Sequence, residues 1–195
     1  VITVNSLAGP ELAAAGVRYT NRAPGPDVRY WEFGDETWGS WAAGHTDPAT
    51  YVARFRAAHA AMKAVNPTLR LAANVSLDPS QGSRWNRPVI TGLQEILEAV
   101  SFTFFPQEPG EEDERSLRGS LQQFRVRMTA LRHQLSEILG PRANEIVFLL
   151  AGYNSVTWEP GPQTLSDMQV LWLSEMIGDL VESGVDLAAY WTLLI

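Results

Sequence analysis

Two acids sit side by side in "VRYWEFGDETWG", residues 28–39: Asp35 and Glu36. An apolar, β-branched and aromatic run containing Trp31 leads into them, and Trp38 and Gly39 follow. Carboxyl groups at the end of a buried strand are the equipment of general acid and base chemistry. Two that lie close together can share a proton, which raises one pKa. Neighbours on a strand point to opposite faces, so Asp35 and Glu36 can cooperate only if the strand ends between them. Otherwise Asp35 serves as a capping or loop acceptor. Other polar and aromatic residues recur just past apolar runs: Asn74 and Ser76, Tyr153 and Asn154, and Trp191. Glu159 lies in a loop beyond one of these runs and is a further candidate acid. Of the three histidines only His45 falls near these positions. With Ser76 and with Glu36 or Asp35 it could form a nucleophile–base–acid arrangement, although no G-x-S-x-G elbow accompanies it. The histidines fit no metal-ligand spacing and no H-E-x-x-H is present, so neither a metal nor a cofactor is expected.

These positions have to be held by alternating strands and helices. Residues 1–6, 28–34, 69–76, 100–106, 145–155 and 185–194 read as strands. Helical spacing covers 10–22, 47–67, 89–100, 115–140 and 165–184. Pro10 opens the first helix, and Asp47 caps the second with Pro48 behind it. Its apolar stripe is Tyr51, Val52, Phe55, Ala58, Met62 and Val65. Gly140 and Pro141 end the fourth. Residues 23–27 read as a turn and 78–88 as a loop. The acidic stretch 107–114 reads as a solvated loop. Strict alternation implies a parallel sheet with right-handed crossovers in a single domain, 1–195. No glycine-rich phosphate loop follows the first strand, which argues against a dinucleotide site. In a (β/α) barrel the chemistry-bearing residues would all face one mouth.

The bulk numbers remove several function classes. Of 195 residues, 45% are apolar and 19% charged, which is globular composition. A net charge of −7 with fifteen basic residues argues against nucleic acid. No apolar run approaches membrane-spanning length, so no membrane partner is expected. Cysteine is absent, which excludes disulfide and thiolate chemistry. The chain opens on Val1 in what reads as a strand, without a secretory leader, and its missing initiator Met suggests cutting or processing. The expectation is a soluble protein of bacterial type, cytoplasmic or secreted. The seven tryptophans serve either as core filling or as platforms for sugar rings.

"VRYWEFGDETWG" resembles the fourth-strand signature Y-W-E-I-G-N-E of clan A glycoside hydrolases, closest to the α-L-arabinofuranosidases and their β-xylosidase relatives. "FFPQEPG", "LLAGYNS" and "VDLAAYWTLL" resemble their sixth, seventh and eighth strands. "VITVNSLAGPELAAAGVRYTNR" resembles the third strand and helix. The resemblance implies a partial TIM-type (β/α) barrel of about six parallel strands, matching strands 3 to 8, with the first two βα units missing. It also implies a retaining mechanism with two carboxyl groups about 5–5.5 Å apart. Glu36 matches the acid/base. The nucleophile belongs in T-E-Y/W-N, where this chain has Ala151, Gly152, Tyr153 and Asn154, so Gly152 takes that place. Asp35 stands where the family has Asn, and Thr103 where it has His. The expected function is carbohydrate binding at an aromatic mouth, through Trp31, Trp38, Asn74, Tyr153, Asn154 and Trp191, with little or no glycosidase activity. Glu159 is the candidate substitute for the absent carboxylate. The alternative is a hydrolase of altered chemistry, such as an esterase, using Glu36, His45 and Ser76. Partners would then be a carbohydrate or a small ester. A sheet lacking two strands leaves open edges, so a homodimer is also expected.

Overall fold

Trp31 and Phe33 leave their strand on one side and Tyr30 and Glu32 on the other, and this alternation sets the architecture. A computed structural model describes residues 1–22 and 27–191. The strands are β1 (Ile2–Val4), β2 (Tyr30–Phe33), β3 (Arg70–Asn74), β4 (Ala99–Phe104), β5 (Val147–Tyr153) and β6 (Leu187–Tyr190). The helices between them are α1 (Pro10–Thr20), α2 (Pro48–Val65), α3 (Arg87–Leu93), α4 (Glu114–Leu139) and α5 (Asp167–Glu182). All strand pairings are parallel, in the order β1-β2-β3-β4-β5-β6. The two edge strands line a common cavity of about 280 Å³ together with Glu32 and Leu150. The sheet therefore curls on itself, as a partial (β/α) barrel.

Two apolar layers hold it. Outward side chains of the strands meet the helices in one large core. In α2 the buried side is Tyr51, Phe55, Ala58 and Met62, while Val52 and Val65 are only partly covered. In α4 the buried side runs Leu117, Leu121, Phe124, Met128, Leu131, Leu135 and Leu139, spaced by three and four residues. The inner layer is small: Tyr30, Ala72, Ala99, Val147 and Leu149. The caps follow local chemistry. Asp47 accepts from the Thr50 N–H at 2.9 Å, and Asp113 from the Ser116 N–H at 2.7 Å.

Some boundaries differ from the sequence reading. The helix expected over 89–100 starts at Arg87 and ends at Leu93, and Ala99 already belongs to β4. Gly92 sits where Arg56 takes its carbonyl with two N–H groups, at 3.0 and 2.6 Å, which draws that end of α3 toward α2. The loop expected over 78–88 is instead wound into a 3₁₀ turn, Pro79–Gln81, and a π turn, Gly82–Asn86. Residues 23–26 of the expected turn, and 192–194 of the expected last strand, lie outside the described residues.

β5 carries one residue more than each neighbour. Phe102 pairs with Leu150 but Thr103 with Gly152, and on the other side Ala188 pairs with Leu150 but Tyr190 with Tyr153. The extra residue falls at Ala151. Such a bulge turns the strand's side chains locally and is common beside functional sites.

Candidate functional site

β2 ends at Phe33, and Gly34 follows with φ +73°. A Cβ at Gly34 would lie 2.5 Å from Thr37 Cγ2 and 2.9 Å from Ser6 Oγ, so only glycine fits the turn. The turn separates the faces of Asp35 and Glu36. Asp35 stays exposed on the rim. Crowding by protein, then the neighbouring Glu36, push its carboxyl above the ordinary aspartate value, and solvent on its open side screens both effects. Glu36 adopts φ +43°, a left-handed backbone that glutamate seldom takes. Its side chain enters a cleft of about 790 Å³ at the C-terminal ends of the strands.

Both carboxylate oxygens of Glu36 are engaged. Thr103 on β4 donates its hydroxyl to Oε1, and Trp41 donates its indole N–H to Oε2 at 2.7 Å. Trp41 meets Trp38 edge to face, with ring centroids 5.0 Å apart. Trp38, Trp41, Phe105 and Trp158 give the cleft its aromatic walls. Asp78, Glu108 and Arg127 add charge at its margins.

Beneath Glu36 lies a buried polar layer centred on Asn74. Its Nδ2 donates to Glu32 Oε1 at 3.1 Å and to Ser101 Oγ at 2.8 Å. Its Oδ1 accepts the N–H and hydroxyl of Thr37, at 3.3 and 3.2 Å. Thr3 donates to the other Glu32 oxygen at 2.9 Å. Loss of hydration, then the charge of Asp35, raise the Glu32 carboxyl to about 7, and the bonds from Ser101, Thr3 and Asn74 pull it only part of the way back. The Tyr51 phenol, wholly buried, donates to Phe33 O at 3.0 Å and accepts from the Asn74 N–H at 2.7 Å. It ties β2 to β3 just below the site. Burial raises its pKa far beyond the ordinary tyrosine value.

The other sequence-derived candidates separate. Trp38 and Ser76 line the cleft with Glu36, and Asn74 supports it from below. Trp31 does not reach it. That side chain is 2% exposed in the outer core, its Nε1 bonded to Val28 O, because its strand parity sends it toward the helices. Tyr153 also faces the outer core, edge-on to Tyr190. Asn154 is buried and accepts from Gln169 and Tyr190, which makes it a fastening rather than a contact surface. Trp191 lies near Gly152 and donates to Thr157 O at 3.1 Å. Glu159 is exposed with φ +44° and does not line the cleft. His45 is exposed on the loop after β2 and also lies outside the lining, so it does not join Ser76, whose Oγ accepts from the Asp78 N–H. Among the described residues, no group of three or more His, Cys, Asp or Glu is placed to hold a metal ion. Among the described residues no helix is long and apolar enough to cross a membrane.

Three residues were not singled out from sequence. Glu32 had one available signal, a charged residue at an inward position of an apolar strand. Trp41 and Trp158 had none beyond their residue type.

No protein-family model matches the chain, and neither does any curated protein. Solved structures do match. The α-L-arabinofuranosidase of Thermotoga maritima superposes with a TM-score of 0.77 at 18% identity, over 98% of this chain and 42% of that one. The family 51 α-L-arabinofuranosidase of Thermotoga petrophila gives 0.78 at 19%, over 98% and 43%. A β-xylosidase of Caulobacter crescentus gives 0.72 at 17%, over 94% and 38%. The fold is that of part of the (β/α) barrel seen in these structures. The chain spans less than half of the length of these enzymes, and at such identities the likeness speaks for the fold alone.

Proposed function

We propose that this chain is a glycoside hydrolase-like protein that binds carbohydrate in the Glu36 cleft and has little or no glycosidase activity. One observation carries the reading: Glu36 stands in an aromatic cleft bonded to Thr103, and the residue paired with Thr103 across the sheet is Gly152. A retaining glycosidase needs a second carboxylate about 5–5.5 Å from the first. The strand position beside Glu36 offers no side chain for it. Glu36 can still accept from a sugar hydroxyl or donate to a glycosidic oxygen, but no carboxylate attacks the anomeric carbon from β5. Aromatic faces with a buried polar floor suit the apolar faces and hydroxyl edges of sugars.

Gly152→Glu tests this directly. A Cβ at 152 would lie 3.3 Å from Phe105 Cζ and 3.8 Å from Trp191 Cβ, so the ring has to give by a few tenths of an ångström. The variant is expected to fold and to release aryl leaving groups from arabinofuranosides or xylosides above the parent's baseline. Adding Glu36→Gln should abolish the gain. Retaining hydrolysis by the unmodified chain would defeat the reading.

A further inference from the structure

Two carboxyl groups are buried among the described residues, Asp179 and Glu32, and the fold treats them differently. Arg125 gives Asp179 two bonds, at 2.7 and 2.9 Å, so that charge has its partner. Among the described residues no cation, the α-amine included, pairs with Glu32. Residues 23–26 and 192–195 contain no basic side chain. Neutral donors serve Glu32 instead: Asn74 on one oxygen and Thr3 on the other. A buried carboxylate without a cation is costly, and burial is the main reason that this one holds its proton to about pH 7.

Glu32 also faces open space. Thr3 pairs with it across the sheet, and Leu187 pairs with Leu149 of the inner layer, so these positions share the inner face. Ala189, two residues beyond Leu187, falls on the same face. The cavity of about 280 Å³ is lined by Thr3 and Glu32 from β1 and β2, and by Ala151, Leu187 and Ala189 from β5 and β6. No other charged side chain lines it. Small side chains at 151, 188 and 189 leave the room. At about 30 Å³ for each water-sized unit, the space takes roughly nine heavy atoms. None of its lining residues lines the Glu36 cleft.

We propose that this cavity is a second ligand site, for a small primary ammonium with an apolar body, its N–H groups on Glu32 and Thr3 and its carbons against Leu187 and the alanines. The ligand supplies the cation that the fold withholds. Thr3 gives its hydroxyl proton to Glu32 and keeps lone pairs that can accept. A guanidinium suits the site less well. Its planar fork engages both carboxylate oxygens, and each already takes a donor, whereas an ammonium needs only one. A charge-assisted bond in a site shielded from water is stronger than the same bond at the surface. The site stands apart from the sugar reading and does not depend on it.

Cyclohexylammonium is the probe, titrated into the full chain at pH 8, above the Glu32 value of about 7, and followed by backbone amide shifts in NMR. Saturation is expected with a Kd of about 1 mM or tighter, with the shifts centred on Thr3, Glu32 and Leu187. Cyclohexanol, of the same shape without the charge, and cyclohexanecarboxylate should each bind about tenfold more weakly or worse. Glu32→Gln should lower the ammonium affinity about tenfold or more. Ala189→Phe, which adds a ring at the cavity wall, should abolish binding. Thermal melts confirm that both variants are folded. If cyclohexylammonium does not saturate, if cyclohexanol binds as tightly, or if either folded variant binds the ammonium unchanged, the inference fails. Shifts centred on Trp38 and Trp41 would move the binding to the Glu36 cleft and overturn it equally.

Discussion

At the scale of single residues, Glu32 has the clearest measurable consequence. Its folded carboxyl keeps its proton to about pH 7, whereas the same group in the unfolded chain ionises near its ordinary value of 4.5. Between those values the folded state binds more protons, so stability falls as pH rises. The penalty is on the order of 3 kcal/mol once pH exceeds 7. Glu32→Gln keeps the shape and removes the titration. Denaturant unfolding at pH 5 and pH 8 should show the parent losing stability relative to the variant by about that amount. An equal pH response from both proteins would mean that Glu32 is already ionised in the fold. Glu36 shows the same dependence of chemistry on surroundings in another form. Its two oxygens are occupied by Thr103 and Trp41, so a ligand hydroxyl has to share or displace one of those donors.

At the scale of elements, the site depends on how β2 and β3 end together. The Tyr51 hydroxyl bridges the Phe33 carbonyl and the Asn74 N–H. Tyr51→Phe leaves both buried backbone groups without that partner, which is expected to cost about 2–4 kcal/mol. Chemical denaturation measures it, and a loss below 0.5 kcal/mol, roughly a surface substitution, would show that the bridge is dispensable. The bulge on β5 matters equally. By adding one residue at Ala151 it sets Gly152, rather than Ala151, opposite Thr103. A Cβ at 152 would meet Phe105, which lines the Glu36 cleft.

At the scale of the whole molecule, the two edges of the curled sheet remain unpaired among the described residues. Leu187, Ala188 and Ala189 of β6 are exposed. One flank of α5 presents Val170, Ile177 and Val181 to solvent, each more than half exposed. An apolar helix flank beside an open edge favours self-association. The 195-residue chain is expected to form a dimer, with a light-scattering mass near twice 21.6 kDa at micromolar concentration. Ile177→Glu combined with Val181→Glu should return it to a monomer that still melts cooperatively. A parent mass of 21.6 kDa would show that the open side needs no partner.

The sequence by itself determined the order and kind of the elements. Apolar period decides strand against helix locally, and Asp47 and Gly140 mark ends through bonds within a few residues. It also determined that Glu36 follows a strand and that residue 152 lacks a side chain. It could not determine which aromatic residues meet Glu36. Trp31 and Trp38 are seven residues apart on one loop-strand segment, yet strand parity buries one against the helices while the turn at Gly34 delivers the other to the cleft. Trp158 reaches the same cleft from another loop across the sheet, while His45 is left outside. The polar floor joins residues 27 to 42 positions apart in sequence through Asn74. Such meetings depend on sheet order, register and the direction in which each loop leaves its strand. Only the tertiary structure decides these, because no local pattern encodes the distance between two loops.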